Sequence, residues 1–242
     1  MLHSIKYGET KMIVDMFTRQ HGRLSFVVSM PKTVHGKLKK QYFQPLTLLT
    51  AEADVRPQAQ LQKLRDASIL TPYASLLYEP SKLSISLFLA EFLYHALRDE
   101  QQNESLFDYV ASSIQWLDSR QQGFANFHLV FLMHLSRFLG FYPNLEVPEA
   151  GSEEPENRSN LYFDLRAATF CSAPPLHRDF LMPQEAAMLR LMMRMDYANQ
   201  HLFRMNREQR NRCIEVALLF YRLHLPDFPE LRSLDVLREL WN

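Results

Sequence analysis

The stretch Tyr7–Val28, YGETKMIVDMFTRQHGRLSFVV, decides how the chain begins. Met12 to Thr18 is rich in β-branched and aromatic residues, His21-Gly22 supplies a turn, and Leu24 to Met30 is a second run of the same kind. Two such runs joined at a glycine read as a β-hairpin. Pro31 to Lys40 follows as a basic loop, and Tyr42 to Ala51 is expected to form a third strand. Leu61 to Ile69 is expected to be a fourth, in which Leu61, Lys63 and Arg65 alternate imperfectly with Gln62, Leu64 and Asp66. Several short strands within about 75 residues predict a small barrel or sandwich.

Beyond Pro80 the hydrophobic period becomes helical. Leu83 to Leu97 is apolar on most sides, with Ser84, Glu91, His95 and Arg98 on one narrow polar stripe, and is expected in the middle of a bundle. Leu106, Phe107, Val110, Ile114 and Leu117 mark a second, one-faced helix. Phe127, Val130, Phe131, Leu135 and Phe138 mark a third, stopped by Gly140 with Pro143 beyond. A fourth opens at Pro183. A fifth runs from Asn206, an N-cap with Gln209 three residues on, to about His224, where Pro226 forbids continuation, and Ser233 to Trp241 is a short last one. Glu146 to Asn160, with Pro148, Gly151, Pro155 and five glutamates, reads as an exposed acidic loop.

The 27 basic and 27 acidic residues of the 242-residue chain cancel, yet they are unevenly placed. Met1 to Pro80 holds eleven Lys and Arg against six Asp and Glu, a net of +5, and the remainder carries a net of −5. Seven of the eight lysines precede Pro80. This break predicts an N-terminal domain over residues 1–75 and a second over residues 80–242. The six glycines stand too far apart for a phosphate-cradling loop, which excludes P-loop nucleotidases and Rossmann dehydrogenases. No secretory leader and no membrane span are visible, and two cysteines, Cys171 and Cys213, fit a reduced, cytoplasmic compartment.

The opening stretch, followed by a lysine-rich loop and FQPLTLL (Phe43–Leu49), resembles the N-terminal domain of the RecO recombination mediator family. LFLAEFLYHALRDEQQNESLFDYVASSIQWLD (Leu87–Asp118) and FHLVFLMHLSRFLGFYPNL (Phe127–Leu145) resemble its helical domain, in the family's order. The likeness covers Leu2 to Leu145 and continues more loosely to the C-terminus. It implies an α+β multidomain chain, a small OB-fold β-barrel followed by an α-helical bundle. Family members usually carry a few more residues ahead of the first strand, so this chain is expected to begin abruptly. The resemblance implies a bacterial, nucleoid-associated mediator of recombinational repair. It would bind single-stranded and duplex DNA, promote annealing and, with RecR, help load RecA onto strands coated by single-stranded DNA-binding protein.

Lys32, Lys37, Lys39 and Lys40 lie within nine residues with no acid among them, Arg23 precedes them, and Tyr42 and Phe43 follow. Concentrated positive charge suits phosphates, and aromatic rings stack on unpaired bases. A solubilising loop beside core aromatics is the other reading of these residues, and the resemblance favours DNA contact. Arg204, Arg207, Arg210 and Arg212 open the fifth helix although arginine there opposes the helix dipole. They are either a surface arginine face or a dock for the acidic C-terminal tail that the family binds on single-stranded DNA-binding protein. Met188, Met192, Met193 and Met195 read as core. Many members of the family carry a cysteine zinc site, but Cys171 stands alone in the corresponding region, so neither metal nor cofactor is expected. His128 and His134, six apart, lie about 240° apart around a helix and cannot share an ion. Glu91 and His95 share a helix face and read as a solvated polar stripe. A hydrolase using them, and a helical protein-interaction adaptor without nucleic-acid binding, are the rival functions.

Overall fold

The computed structural model describes residues 1–30, 38–146 and 160–240. The hairpin falls where it was expected, as β2 (Lys11–Thr18) and β3 (Gly22–Ser29), preceded by an additional strand β1 (His3–Tyr7). The third expected strand is different. Lys40–Phe43 is one turn of 3-10 helix, and β4 begins only at Leu49, running to Asp54. Phe43, at the end of that turn, joins the core cluster of Val14, Met16, Phe26, Val28 and Leu64. β5 covers Leu61–Ile69.

The strand order is β1-β2-β3-β5-β4, antiparallel except for a parallel β3–β5 pair. This is the Greek-key order of an OB-fold. Among the described residues no β1–β4 pairing closes the sheet, so the expected barrel is an open sheet. Between Glu52 and Ala53 the register shifts, so that Ala53 faces Leu64 while Glu52 faces Asp66 and Arg65 becomes the extra residue of a bulge.

Simple alternation fails in β2 because both faces of the sheet are covered there. Met12, Val14 and Met16 face the OB core. Asp15 and Phe17, on the opposite face, are buried as well, Phe17 against Phe107 with ring centroids 6.1 Å apart. Phe107 belongs to α2 (Glu104–Ser119), and α1 (Pro80–Ala96) lies beside it in sequence. The hairpin turn is fixed in the same way. Gly22 adopts φ +67°, and a Cβ there would stand 2.4 Å from the backbone of Glu100 and Gln101. Only glycine satisfies both the dihedral and the approach.

The chain divides into two compact units, Met1–Arg120 with Glu230–Leu240, and Gln121–Pro229. The change from strand to helix comes at Pro80, whereas α1 and α2 belong to the same unit as the sheet. In that unit the Asp118 carboxylate accepts the amides of Ala74, Ser75 and Leu76 at 2.9, 2.8 and 2.7 Å, fastening the strand-to-helix connection to the end of α2. The buried Lys82 ammonium donates to Ser75 Oγ at 2.7 Å and to the carbonyls of Asp118 and Arg120. In the same unit α6 (Leu234–Arg238) packs on α1.

In the second unit α3 (Phe127–Phe138) is buried along most of its length and packs against α4 (Pro183–Met193) and α5 (Arg207–His224). α3 ends with Gly140 at φ +83°, and Asn206 caps α5 in a full capping box with Gln209, both as the sequence predicts. Three short strands, β6 (Tyr162–Asp164), β7 (Thr169–Cys171) and β8 (Phe180–Leu181), form a sheet in the order β7-β6-β8. Strands of two or three residues leave too little periodicity to read from sequence.

Candidate nucleic-acid interface

The face of the five-stranded sheet turned away from the OB core is built of cross-strand rows. His3, Asp15, Ser25 and Leu61 form one row, Ile5, Ile13, Val27 and Lys63 the next, and Tyr7, Lys11 and Ser29 the third. The first row lies under α1. The His3 and Tyr94 rings meet at a tilt with centroids 4.5 Å apart, and the Asp15 carboxylate receives the Ser25 hydroxyl and the Arg23 guanidinium. The second and third rows are more open. Ile5 is 46% and Tyr7 55% exposed, and Lys11, Lys63 and Arg65 stand in solvent. A groove of about 610 Å³ runs over this part of the sheet, lined by Lys11, Val27, Ser29, Leu38, Lys63 and Arg65 with Leu64. Arg65 also pairs with Asp54 on the neighbouring strand.

This arrangement suits a single nucleic-acid strand, with cations for phosphates beside an apolar and aromatic strip for bases. Strands 2 and 3 carry the ligand face of OB-folds generally. The sequence signal for Lys63 and Arg65 was their alternate spacing in the expected fourth strand, and the structure buries Leu64 between them and Gln62 beside them. Lys11 carried none, because its neighbours on the groove are contributed by β3 and β5.

The residues expected at the interface divide. Lys32 and Lys37 lie outside the described residues. Lys39 and Lys40 are exposed and follow directly on Leu38, which lines the groove. Tyr42 is half-buried against the core cluster. Phe43 is 3% exposed, and its ring is enclosed by the core and offers no face to a base. Arg23 is also engaged inside the protein. It pairs with Asp15 at 3.1 Å, donates to the Tyr94 carbonyl at 2.9 Å and lies 4.6 Å over the Tyr94 ring.

The arginines at the start of α5 divide too, which accounts for cations at the positive end of a helix. Arg210 is buried, its Nε donating to Asn126 Oδ1 at 3.1 Å and its terminal nitrogen to the Met205 carbonyl at 2.9 Å. Asn126 in turn donates to the carbonyls of Gln200 and Phe203, so Arg210 belongs to a buried polar network. Arg212 is fixed by Glu185 at 2.6 Å and Glu215 at 3.4 Å. Arg204 is exposed and Arg207 half-exposed. Met192, Met193 and Met195 are buried, while Met188 lines a cavity of about 170 Å³ between α4 and α5.

The polar stripe on α1 has a structural task. Burial alone would push the Glu91 carboxyl up, but the hydroxyl and amide of Ser233 and the amide of Arg232 outweigh it and hold the group below its ordinary range. Both carboxylate oxygens accept from these groups at the start of α6, so Glu91 is engaged in docking the C-terminal segment. His177 uses both ring nitrogens, donating from Nε2 to Asp164 at 3.2 Å and accepting the Asp179 amide on Nδ1 at 3.2 Å. Among the described residues no three His, Cys, Asp or Glu side chains are grouped to hold a metal ion.

An OB-type sheet with an exposed basic groove, followed by helices, defines the class as a multidomain protein built on an oligonucleotide-type fold. Two family models match, Recombination protein O N terminal over residues 1–73 and Recombination protein O C terminal over residues 77–235. The chain is 49% identical to the DNA repair protein RecO of Phocaeicola vulgatus over 242 residues, covering 100% of this chain and 97% of that one. It is 49% identical to the DNA repair protein RecO of Bacteroides fragilis over 243 residues, with the same coverage. With that of Flavobacterium psychrophilum it shares 30% identity over 244 residues, again covering 100% and 97%. The chain belongs to the RecO family of DNA repair and recombination proteins. Among the described residues no helix is long and apolar enough to cross a membrane.

Proposed function

We propose that this chain is a non-enzymatic recombination mediator that binds single-stranded and duplex DNA on the outer face of its OB-type sheet and promotes annealing. With RecR it would help load RecA onto strands coated by single-stranded DNA-binding protein. The observation that carries the DNA-binding step is the groove in which Lys11 and Lys63, fifty-two positions apart in sequence, stand on either side of Val27 and Ser29. Annealing requires neutralised phosphates and accessible bases, and no covalent chemistry. Glu91, one half of the only acid/base pair the sequence singles out, is occupied by the start of α6. The partner proteins are carried over from the family, and the exposed Arg204 with Arg207 is where an acidic tail is expected to dock.

Single-strand affinity measured against salt tests this reading. Lys11→Ala with Lys63→Ala removes two phosphate contacts, and the slope of log affinity against log salt should fall in magnitude by about 1.4, from roughly 0.7 per contact. Lys37, Lys39 and Lys40 changed together to alanine should lower it by about 2 on the same scale. Folding survives Lys11→Ala with Lys63→Ala because both lysines are exposed and contribute little to a core. An unchanged slope in folded variants refutes the groove. No mobility shift of the unaltered protein at low salt leaves a protein-interaction adaptor as the better description.

A further inference from the structure

Between α4 and α5 of the second unit lies the cavity of about 170 Å³, walled by the buried Leu189, Met192, Cys213 and Val216 and the half-buried Met188. A dry cavity of about 150 Å³ takes a benzene ring, so this one has room for a single aromatic or branched aliphatic side chain. Methionine suits such walls, because its unbranched thioether adapts to the shape that enters. Burial pushes the Cys213 thiol up to about 11, so that wall carries no charge at neutral pH.

Charge stands at the rim. Gln209, Arg212, Cys213 and Val216 follow the spacing i, i+3, i+4, i+7 and share the α5 face that lines the cavity. Glu208, Arg212 and Glu215 run along the edge of that face at i, i+4, i+7, and Glu185 meets them from α4. Three carboxylates thus surround one guanidinium. Arg212 is already engaged, with Glu185 Oε1 taking its Nε and one terminal nitrogen at 2.7 and 2.6 Å and Glu215 meeting the other at 3.4 Å. Among the described residues Oε2 of Glu185 has no hydrogen bond and is left for a further donor.

The other cations of these two helices are directed elsewhere. Arg207, nine residues before Val216, lies about 180° around α5 from it. Arg210 belongs to the buried network with Asn126, and Arg190 of α4 lies over the Phe170 ring at 4.5 Å. An apolar interior with an acidic margin repels an acidic peptide and favours an apolar side chain that has a positive one next to it.

We propose that this pocket is a docking site for a partner protein that inserts one aromatic or branched aliphatic side chain between α4 and α5 and sets an adjacent lysine or arginine against Glu185. The site is separate from the sheet groove and from the exposed Arg204 and Arg207, so its failure leaves the DNA-binding reading as it stands.

Three capped tripeptides, Lys-Phe-Lys, Glu-Phe-Glu and Lys-Ala-Lys, titrated into the full chain with isotope-labelled methionine methyl groups, test it by NMR. The Met188 and Met192 methyl signals, identified through Met188→Leu and Met192→Leu, should move with Lys-Phe-Lys and stay in place with Lys-Ala-Lys. Lys-Phe-Lys should bind about two- to fivefold more tightly than Glu-Phe-Glu, the range that an exposed ion pair supplies. Glu185→Gln should narrow that ratio, and Val216→Phe, which fills the cavity with a ring of its own, should abolish the peptide-induced shifts. Signals that stay in place with both phenylalanine peptides, or that answer Lys-Ala-Lys equally, overturn the proposal. So does binding of Glu-Phe-Glu as tight as that of Lys-Phe-Lys, an unchanged ratio in Glu185→Gln, or shifts that persist in a folded Val216→Phe. If Val216→Phe does not fold, the peptide series on the unaltered protein and on Glu185→Gln decides.

Discussion

Replacing Asp118 with alanine strips the acceptor from three consecutive amides at the strand-to-helix connection. Their surroundings set the cost. Ala74 is exposed and its amide regains a water partner, Ser75 is half-buried, and Leu76 is 0% exposed. A buried donor deprived of a charged acceptor costs about 1–3 kcal/mol and an exposed one close to nothing, so the three together amount to about 3 kcal/mol. The Lys82 ammonium keeps its bond to the backbone carbonyl of residue 118, which the substitution retains. The pH dependence has a definite sign. Burial alone would push the Asp118 carboxyl up, but the amides of Ala74, Ser75 and Leu76 hold it below its ordinary value of 3.8. Its contribution is therefore complete above the ordinary carboxylate range and is lost as pH falls through the depressed folded value. Urea unfolding followed by tryptophan fluorescence reads this directly, since Trp116 lies two residues before Asp118 on α2. The gap between Asp118→Ala and the unaltered protein should hold steady from pH 7 to about pH 5 and narrow below about pH 4. A gap under about 0.5 kcal/mol at pH 7, or one of equal size at pH 3, would show that the amides find other acceptors and that the clamp is not formed.

Two further outcomes follow from burial and capping. Phe43→Ala should destabilise the protein by about 3–5 kcal/mol; a variant with unchanged stability and weakened DNA binding would instead restore Phe43 as a base-stacking ring. Glu91→Ala should speed backbone hydrogen exchange in residues 231–238 through loss of the acceptor for Arg232 and Ser233. The unaltered protein should lose the same protection as pH falls through the lowered Glu91 value, and exchange that is identical in variant and parent would refute the docking role.

Local chemistry was legible in the sequence wherever a signal is confined to a few neighbouring residues. Gly22 marked the hairpin turn, Gly140 stopped α3, Pro183 opened α4, and the Asn206–Gln209 box started α5, each through dihedral preference or a hydrogen bond spanning three or four positions. The expected strand over Tyr42 to Ala51 misled because its β-formers begin in one turn of 3-10 helix, where Phe43 packs into the core, and enter a strand only at Leu49. β1 escaped notice because only pairing with β2 makes it a strand.

What the sequence determined by itself was the order of elements, a β-rich beginning and a helical remainder, and the concentration of lysine in the former. The fate of each cation was decided only in three dimensions. Arg23 and Arg210 looked like surface charges, yet Asp15 and Tyr94 claim one and Asn126, from 84 positions away, claims the other. Lys11 and Lys63 looked unrelated, yet the antiparallel β2–β3 and parallel β3–β5 registers set them around one groove. The physical reason is range. Dihedral preference and capping act within one turn of chain, whereas ion pairing and burial act through space, between partners that chain register alone brings together.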